Sequence, residues 1–174
     1  MTFNFNFRSL EERRDLHQLV DFMMHQDLGY PGYEDWIQRA EKELEQGSKK
    51  VVLAFSDRRL VGDVVYQPHK QFPRIREVKN IRVHPEVRRR DFAHFMLRQA
   101  EQESQDTYDA IVCDARSDQR DVIQLLKSMG YIPIIEVPLY EKNASDVILM
   151  KSFTGRTEAG LVYQVRTGIL ATAK

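Results

Sequence analysis

The sequence lacks an excess of charge of either sign and contains a single cysteine. Cys113 excludes an internal disulfide and any metal site built from several thiolates. It lies in an apolar run, which predicts a buried structural thiol rather than a nucleophile. Lysine plus arginine and aspartate plus glutamate each number 26, so the formal net charge is zero. We therefore expect neither nucleic acid nor a membrane surface as a partner, although a local basic patch is compatible with this balance.

Long apolar runs are also missing from the sequence. No run approaches the ~20 residues of a membrane span, and the N-terminal segment 1–10 alternates instead of forming the apolar core of a signal peptide. We expect a cytoplasmic protein on these grounds. With 174 residues, 42% of them hydrophobic, the chain is long enough for one globular domain with a sizeable core.

Hydrophobic periodicity predicts strands and helices in alternation. Phe3, Phe5 and Phe7 alternate with polar residues and predict a strand, after which Ser9 opens a helix with Glu12 as its capping-box partner. The polar residues 57–59 lie between two apolar segments and predict a hairpin. Further strands are predicted at 51–55, 60–66, 75–83, 108–113, 131–137 and 147–150, and further helices near 33–46, 89–103 and 119–129, the last with Asp118 as its cap.

The order of these elements, β α α β β β α β α β β, predicts an α/β (α+β) fold. The strand–helix–strand segment 75–113 predicts a right-handed parallel crossover, whereas the other pairings are expected to be antiparallel. We expect a mixed, mostly antiparallel central sheet of about seven strands, with helices on both faces. Residues 1–153 are expected to form this domain. Residues 154–174 are expected to be a C-terminal extension that adds an edge strand or a dimer contact, or that forms a tail.

The stretch Ile75–Ala100 carries the strongest indication of a ligand. A predicted strand runs through a His-Pro break into three consecutive arginines and then into a helix. A strand that feeds a turn and a helix N-terminus is a way to hold a phosphate. Arginines at the start of a helix oppose its macrodipole unless an anion sits there, which favours a bound phosphate over a solvated face. RNA could supply that phosphate, but no basic stripe interleaved with aromatic residues accompanies the triplet.

Two motifs on these elements point to one family. The strand ends Val83-His84-Pro85, and the following loop, which begins at Arg88, reads Arg-Arg-Arg-Asp-Phe-Ala. Further on, Arg116-Ser117-Asp118-Gln119 leads into an apolar helix that ends in Gly130-Tyr131. Both segments are similar to motifs of the GCN5-related N-acetyltransferase (GNAT) superfamily. The first resembles the family's acetyl-CoA loop, Gln/Arg-x-x-Gly-x-Gly/Ala.

The resemblance implies the GNAT fold and acetyl-CoA as acyl donor. It implies that a cofactor lies between strands 75–83 and 108–113, with the backbone of Ile81 to Val83 pairing with the pantetheine arm. Backbone N–H groups from Arg89 to Ala93 would hold the pyrophosphate. The cofactor-binding residues expected from the resemblance are Ile81, Arg82, Val83, Arg88, Arg89, Arg90, Asp91, Phe92, Ala93 and Gln119, and no metal site is expected.

Acetylation of an amine requires a base that deprotonates it. Glu77 is the candidate, because it lies eleven positions before Arg88. The histone acetyltransferase branch of the family places its glutamate base at this distance from the same loop residue. The alternative is that Glu77 pairs with a basic residue of a neighbouring strand. Asn80 and His84 are secondary polar candidates.

The sequence departs from the family pattern at two positions. Asp91 replaces the first loop glycine; a carboxylate about 5 Å from a phosphate costs roughly 3 kcal/mol at a dielectric near 20, but under ~1 kcal/mol when it faces water. Aspartate tolerates a positive φ, so the turn itself can form. Leu126 replaces the tyrosine that is thought to protonate the departing CoA thiolate. Tyr131 and Tyr140 could substitute for it by residue type only.

The acceptor is expected to be a primary amine of a small molecule or protein. The resemblance places the acceptor site near segments 27–36 and 140–146. The first would form an aromatic and acidic rim from Asp27, Tyr30, Tyr33, Glu34 and Asp35, unless Tyr33 and Trp36 belong to the core. Two functions stay open: an acetyl-CoA-dependent N-acetyltransferase, or a catalytically degenerate GNAT-fold module that binds or regulates.

Overall fold

The computed structural model describes residues 4–153 and 158–172. Phe3, predicted to begin the first strand, lies outside them. The described residues form seven strands and five α-helices: β1 (Phe5–Ser9), α1 (Arg13–His25), α2 (Tyr33–Glu45), β2 (Lys50–Ser56), β3 (Arg59–Pro68), β4 (Ile75–Val83), α3 (Phe92–Gln102), β5 (Ala110–Arg116), α4 (Arg120–Ser128), β6 (Ile132–Val137), β7 (Asp146–Ser152) and α5 (Glu158–Thr172). No helix in this part of the chain combines the length and apolar character that crossing a membrane requires.

The seven strands form one mixed sheet in the order β1-β2-β3-β4-β5-β7-β6. β4 and β5 are parallel and are connected by α3, as the crossover prediction required. The pairs β1–β2, β2–β3, β5–β7 and β6–β7 are antiparallel. The predicted hairpin at 57–59 is also confirmed: Asp57 and Arg58 have φ of 48° and 72°, as both central residues of a tight β-hairpin turn require. The predicted fold class is therefore confirmed.

The first helix begins later than predicted. Ser9 is not its cap but the last residue of β1, where it pairs with Val52. Glu12 is the N-cap, and it forms the capping box with Asp15. The Asp15 carboxylate also accepts two hydrogen bonds of 2.5 and 2.7 Å from the guanidinium of Arg8. The capping box therefore begins three residues further along the chain, because Asp15 has both an arginine and backbone N–H groups to bind.

Three other predicted elements differ from the structure. The helix predicted from Arg89 begins only at Phe92, after a short 3₁₀ turn at Pro85–Val87. Gln119, not Asp118, stands at the N-cap of α4 and makes no side-chain capping bond. The described part of the C-terminal extension forms α5, whereas an edge strand was one of the three alternatives expected for it.

The chain divides into two compact units, each with its own apolar core. The first comprises Met1–Gln67 and Lys79–Glu103, and its core lies between α1, α2 and strands β2 and β3. The second comprises Pro68–Val78 and Ser104–Lys174. Val165 and Ile169 of α5 are buried in the core of this second unit, which explains why the apolar tail is ordered as a helix.

Gly62 permits a close approach inside the first unit. A Cβ atom at this position would lie 2.9 Å from the carbonyl oxygen of Arg82 and 2.9 Å from the Cε of Met96. One of these neighbours is backbone of β4 and cannot move without shifting that strand. The glycine therefore sets the position of β4 beside β3.

We expect Gly62→Ala to lower the free energy of unfolding by about 1–3 kcal/mol, the usual cost of overpacking a core. Gly160→Ala is the matched control, because a Cβ atom at this position would meet no described atom within 4 Å beyond the adjacent backbone of α5, and the backbone φ is not positive. That substitution should leave stability unchanged or raise it by up to ~1 kcal/mol. Urea denaturation measures both, and equal midpoints for the two variants would contradict the steric role of Gly62.

Candidate functional site

The loop between β4 and α3 exposes backbone N–H groups. Arg89 and Asp91 both have φ of 60°, and this left-handed backbone ends the loop abruptly at the first turn of α3. The first hydrogen bond of the helix runs from the N–H of Phe95 to the carbonyl of Asp91, at 2.9 Å. The N–H groups of Phe92, Ala93 and His94 therefore have no acceptor within their own helix. A helix start of this kind can bind an anion.

The arginine triplet surrounds this helix start with exposed positive charge. Arg88 is tied to the end of β4, since its Nε donates to the carbonyl of Val83 at 3.1 Å. Arg89 and Arg90 are exposed. Among the residues that the structure describes, neither has an acidic partner. Their charges are thus available to a phosphate.

Asp91 takes the place of glycine without disturbing this turn. Its backbone lies in the left-handed region at φ 60° and ψ 10°, as the tolerance of aspartate for positive φ predicted. Its side chain is exposed and makes no capping bond. The carboxylate faces water, so the smaller of the two electrostatic costs applies, under ~1 kcal/mol.

The backbone of the C-terminal half of β4 is not paired with β5. The register of the parallel pair ends at Val78 opposite Cys113, whereas β4 continues to Val83. Among the described residues, Ile81 to Val83 have no partner in β5. His84, a secondary candidate, lies beyond the strand, where its Nδ1 accepts from the N–H of Glu86 and its Nε2 lies 3.0 Å from Arg59. Its contacts shape the turn.

A buried polar network on β3 and β4 was not predicted. Asn80 donates to the Oδ2 of Asp63, and its own Oδ1 accepts from Nε and Nη2 of Arg82 at 3.0 and 2.9 Å. The Nη1 of Arg82 donates to the carbonyl of Met23 at 3.1 Å. Tyr33 donates to the same carbonyl, also at 3.1 Å. All five residues are buried, so the network lies within the first unit's interior.

Asp63 is the unusual member of this network. It is fully buried, and its Oδ1 has no hydrogen-bond partner in the part of the chain that the structure describes. The nearest charge is the Nε of Arg82, 4.0 Å from that oxygen. Burial raises the pKa of Asp63 to about 6, against the opposing influence of Arg82 and of the Asn80 hydrogen bond. Burial likewise raises the pKa of Tyr33 to about 12.

Sequence reasoning could have found this network from one signal. Asp63 is the only charged residue in the otherwise apolar and glycine-containing run from Leu60 to Tyr66. A carboxylate inside a buried strand requires a partner. The next strand offers Asn80 and Arg82 two positions apart, and hence on one face of β4.

Two predicted site residues lie in the second unit. Glu77 is half-buried on β4, in the segment that pairs with β5, opposite Val112. Gln119 is half-buried at the N-cap of α4. The other predicted residues, from Ile81 to Ala93, belong to the first unit. The catalytic role of Glu77 and the cofactor role of Gln119 stay predictions.

The position of the missing tyrosine is filled by a core residue. Leu126 is 0% exposed on α4, and Tyr131 is 2% exposed. Tyr140 is 43% exposed, and its hydroxyl donates to Oδ2 of Asp114 at 3.0 Å. Of the two tyrosines, only Tyr140 therefore presents its phenol at a surface.

The predicted aromatic rim is only partly exposed. Tyr33 belongs to the core, and Trp36 is half-buried and stacks on it with ring centroids 6.0 Å apart. Asp27, Glu34 and Asp35 are exposed. The acidic part of the predicted rim thus lies at the surface, whereas Tyr33 is buried.

Comparison with known proteins places these features in one family. The sequence matches the Acetyltransferase (GNAT) family over residues 11–131. None of the curated proteins searched matches the chain. A ribosomal-protein alanine N-acetyltransferase from Escherichia coli has a similar structure, with a TM-score of 0.71 at 15% identity over 90% of this chain and 98% of its own.

Two further solved structures have the same fold. Arabidopsis thaliana NAA60, in complex with a bisubstrate analogue, has a TM-score of 0.71 at 14% identity over 87% of this chain and 99% of its own. The yncA protein of Salmonella typhimurium, solved with its cofactor acetyl-CoA, has a TM-score of 0.69 at 13% identity over 88% of this chain and 96% of its own. At these identities, the likeness establishes the fold.

The raised pKa of Asp63 predicts how stability depends on pH. The folded state holds the Asp63 proton more tightly than the unfolded state, whose carboxyl pKa is 3.8. The stability that this proton confers is complete below about pH 4 and is lost as the pH rises through about 6, by on the order of 3 kcal/mol. Asp63→Asn should abolish this fall. Urea unfolding between pH 4 and 7.5 measures it.

Asp15→Asn is the control for this prediction, because its pH dependence has the opposite sign. The hydrogen bonds from Arg8 lower the pKa of Asp15 to about 2, so its contribution is present above about pH 4 and is lost as the pH falls through 2. This variant should be less stable at pH 7.5 yet keep the decline between pH 4 and 6. A decline that survives in Asp63→Asn would contradict the assignment.

Proposed function

Because the chain belongs to the GNAT acetyltransferase family, as its two motifs predicted, we propose that it is an N-acetyltransferase that transfers the acetyl group of acetyl-CoA to a primary amine of a small molecule or protein. Acetyl-CoA is the acyl donor of this family. The observation that carries the proposal is the start of α3, where three exposed arginines come shortly before N–H groups that have no acceptor within the helix. This arrangement fits a pyrophosphate.

The residues of the first unit would hold the cofactor at two places. The N–H groups of Phe92 and Ala93, with Arg88, Arg89 and Arg90, would bind the pyrophosphate, and Asp91 would supply the turn. The helix dipole adds about 0.3–1 kcal/mol for an anion at this position. The backbone of Ile81, Arg82 and Val83 would bind the pantetheine arm, and Gln119 would contribute from α4. When bound, acetyl-CoA supplies the activated acetyl group.

Glu77 is proposed as the general base. Its half-buried carboxylate would accept a proton from the ammonium group of the acceptor, which leaves a neutral nitrogen able to attack a carbonyl. The acceptor would be held by the exposed carboxylates Asp27, Glu34 and Asp35, whose charge suits a cationic amine. Leu126 supplies no acid on α4, so a second proton-transfer group must come from elsewhere.

Removing the arginines tests the cofactor site. The double substitution Arg89→Ala with Arg90→Ala should weaken acetyl-CoA binding about tenfold, since two exposed charge contacts contribute up to ~1 kcal/mol each. Arg98→Ala is the control, because this exposed arginine lies on α3 about two turns from its start and contacts His94. Titration calorimetry measures both. No binding of acetyl-CoA by the native protein at millimolar concentration would refute the proposed function.

Replacing the base tests the chemistry separately from binding. Glu77→Gln keeps the size of the side chain but cannot accept the proton, so we expect kcat/KM for a responsive amine to fall by about 10²–10⁴. The affinity for acetyl-CoA should not change. A screen of small amines and N-terminal peptides, followed by CoA release, provides the assay. Full activity in the Glu77→Gln variant would show that another group accepts the proton.

A catalytically degenerate GNAT-fold module is the alternative, because Asp91 and Leu126 depart from the family pattern. Asp91→Gly separates the two functions. If the native site is competent, this substitution should raise acetyl-CoA affinity by less than about fivefold, the equivalent of under 1 kcal/mol. Binding that is absent in the native protein and appears only in the Asp91→Gly variant would favour the degenerate module.

A further inference from the structure

The buried network around Asp63 joins β3 and β4 to both ends of one turn. Met23 belongs to the last turn of α1, and Tyr33 is the first residue of α2. Both are held at one point, the Met23 carbonyl, which accepts from Tyr33 and from Arg82. The guanidinium of Arg82 also lies 5.1 Å from the centroid of the Tyr33 ring. The intervening segment 26–32 is therefore anchored at both ends through Arg82.

Arg82 has a counter-charge but no direct hydrogen bond to it. Its Nε and Nη2 are both directed to Oδ1 of Asn80, and its Nη1 to Met23. The Asp63 carboxylate balances the charge of Arg82 from 4.0 Å, and Asn80 is hydrogen-bonded to both side chains. Because all three side chains are buried, ionised Asp63 is the counter-charge that faces the guanidinium inside the first unit.

We propose that Asp63 is a positioning residue, and that gain or loss of its proton controls where the segment 26–32 is held. Ionised Asp63 keeps Arg82 on the Met23 carbonyl. Protonated Asp63 leaves a buried cation without a counter-charge, so Arg82 must move toward water or draw water in. Either response releases the joint anchor of Met23 and Tyr33.

The groups that form the network around Asp63 come from three elements, and their effects on its protonation can be separated by experiment. β4 contributes Arg82 and Asn80, α2 contributes the Tyr33 phenol, and α1 contributes the carbonyl of Met23. The pKa of Tyr33 is about 12, so the phenol stays neutral in the range of interest. His25 lies outside this network: it is exposed at the end of α1, where its Nδ1 lies 3.4 Å from Oδ1 of Asp21.

The chain contains an intrinsic fluorophore that can report movement of Tyr33. Trp36 is its single tryptophan, and it stacks on Tyr33 with an interplanar angle of 13°. We expect the fluorescence of the native protein to change between pH 5 and 8 with a midpoint near 6. Asp63→Asn should show no transition there. A native protein without the transition, or an Asp63→Asn variant that keeps it, would overturn the proposal.

Three further variants keep the test decisive. His25→Gln and Asp15→Asn should both retain the midpoint, and its loss in either variant would overturn the proposal. Asn80→Ala keeps Asp63 but removes a hydrogen bond that lowers the pKa of this carboxyl, so the midpoint should move to higher pH. This variant decides the question if Asp63→Asn fails to fold, and an unmoved midpoint would count against the proposal.

The consequence for catalysis rests on the proposed function, in which segment 26–32 lies at the acceptor site. Acidification from pH 7.5 to 5.5 should then raise KM for the amine in the native protein more than in Asp63→Asn, whereas acetyl-CoA binding by calorimetry changes alike in both. If no amine is acetylated, the proposed function fails, while the fluorescence titration still decides the positioning role. Equal KM profiles in an active pair of proteins would overturn the catalytic consequence.

Discussion

A buried arginine held by an asparagine and balanced by a distant carboxylate is the interaction on which the first unit depends. Arg82 uses its whole guanidinium internally, on Asn80 and on the carbonyl of Met23. The same residue lends its backbone to the end of β4 that β5 leaves unpaired in the described chain. Its side chain and its main chain thus serve two purposes: one fixes the helices α1 and α2, and the other is proposed to bind the cofactor.

Such a network is not the most stable solution for these positions. A buried ion pair replaced by apolar residues of similar volume is often as stable or more stable. The sign of the Asp63 pKa shift agrees with this expectation, because ionisation of a carboxyl whose pKa is raised to about 6 reduces stability at neutral pH. Asp15 shows the contrast: two hydrogen bonds from Arg8 lower its pKa, so its charge contributes to stability. The charge of Asp63 thus lowers stability. Its presence is explained by the geometry that it imposes on the turn between α1 and α2.

Structural features that depend on residues close in the sequence were predicted better than features that depend on residues far apart in the sequence. The hairpin at Asp57 and Arg58, the crossover through α3 and the left-handed backbone of Asp91 all follow from local pattern and turn chemistry, and the structure contains them. The cap of α1 was wrong, since Asp15 is drawn to Arg8 of the preceding strand. The pairing of Asp63 with residues 80 and 82 is set by which strands become neighbours, and α5 is set by the core that it covers. Neither can be deduced from periodicity alone.

The two departures from the family pattern, Asp91 and Leu126, differ in their consequences for the proposed site. Asp91 reproduces the backbone of a glycine and has an exposed side chain, so it changes the proposed cofactor site little. Leu126 removes a functional group, and because it is fully buried, its position cannot present an acid to any ligand without repacking α4. Proton transfer to the leaving group would then use solvent or another side chain, and Tyr140, whose hydroxyl donates to Asp114, is one exposed phenol of the second unit. Binding and catalysis are therefore separable in the proposed function: its cofactor site is built on α3 and β4, whereas Leu126 leaves α4 without the family's usual acid.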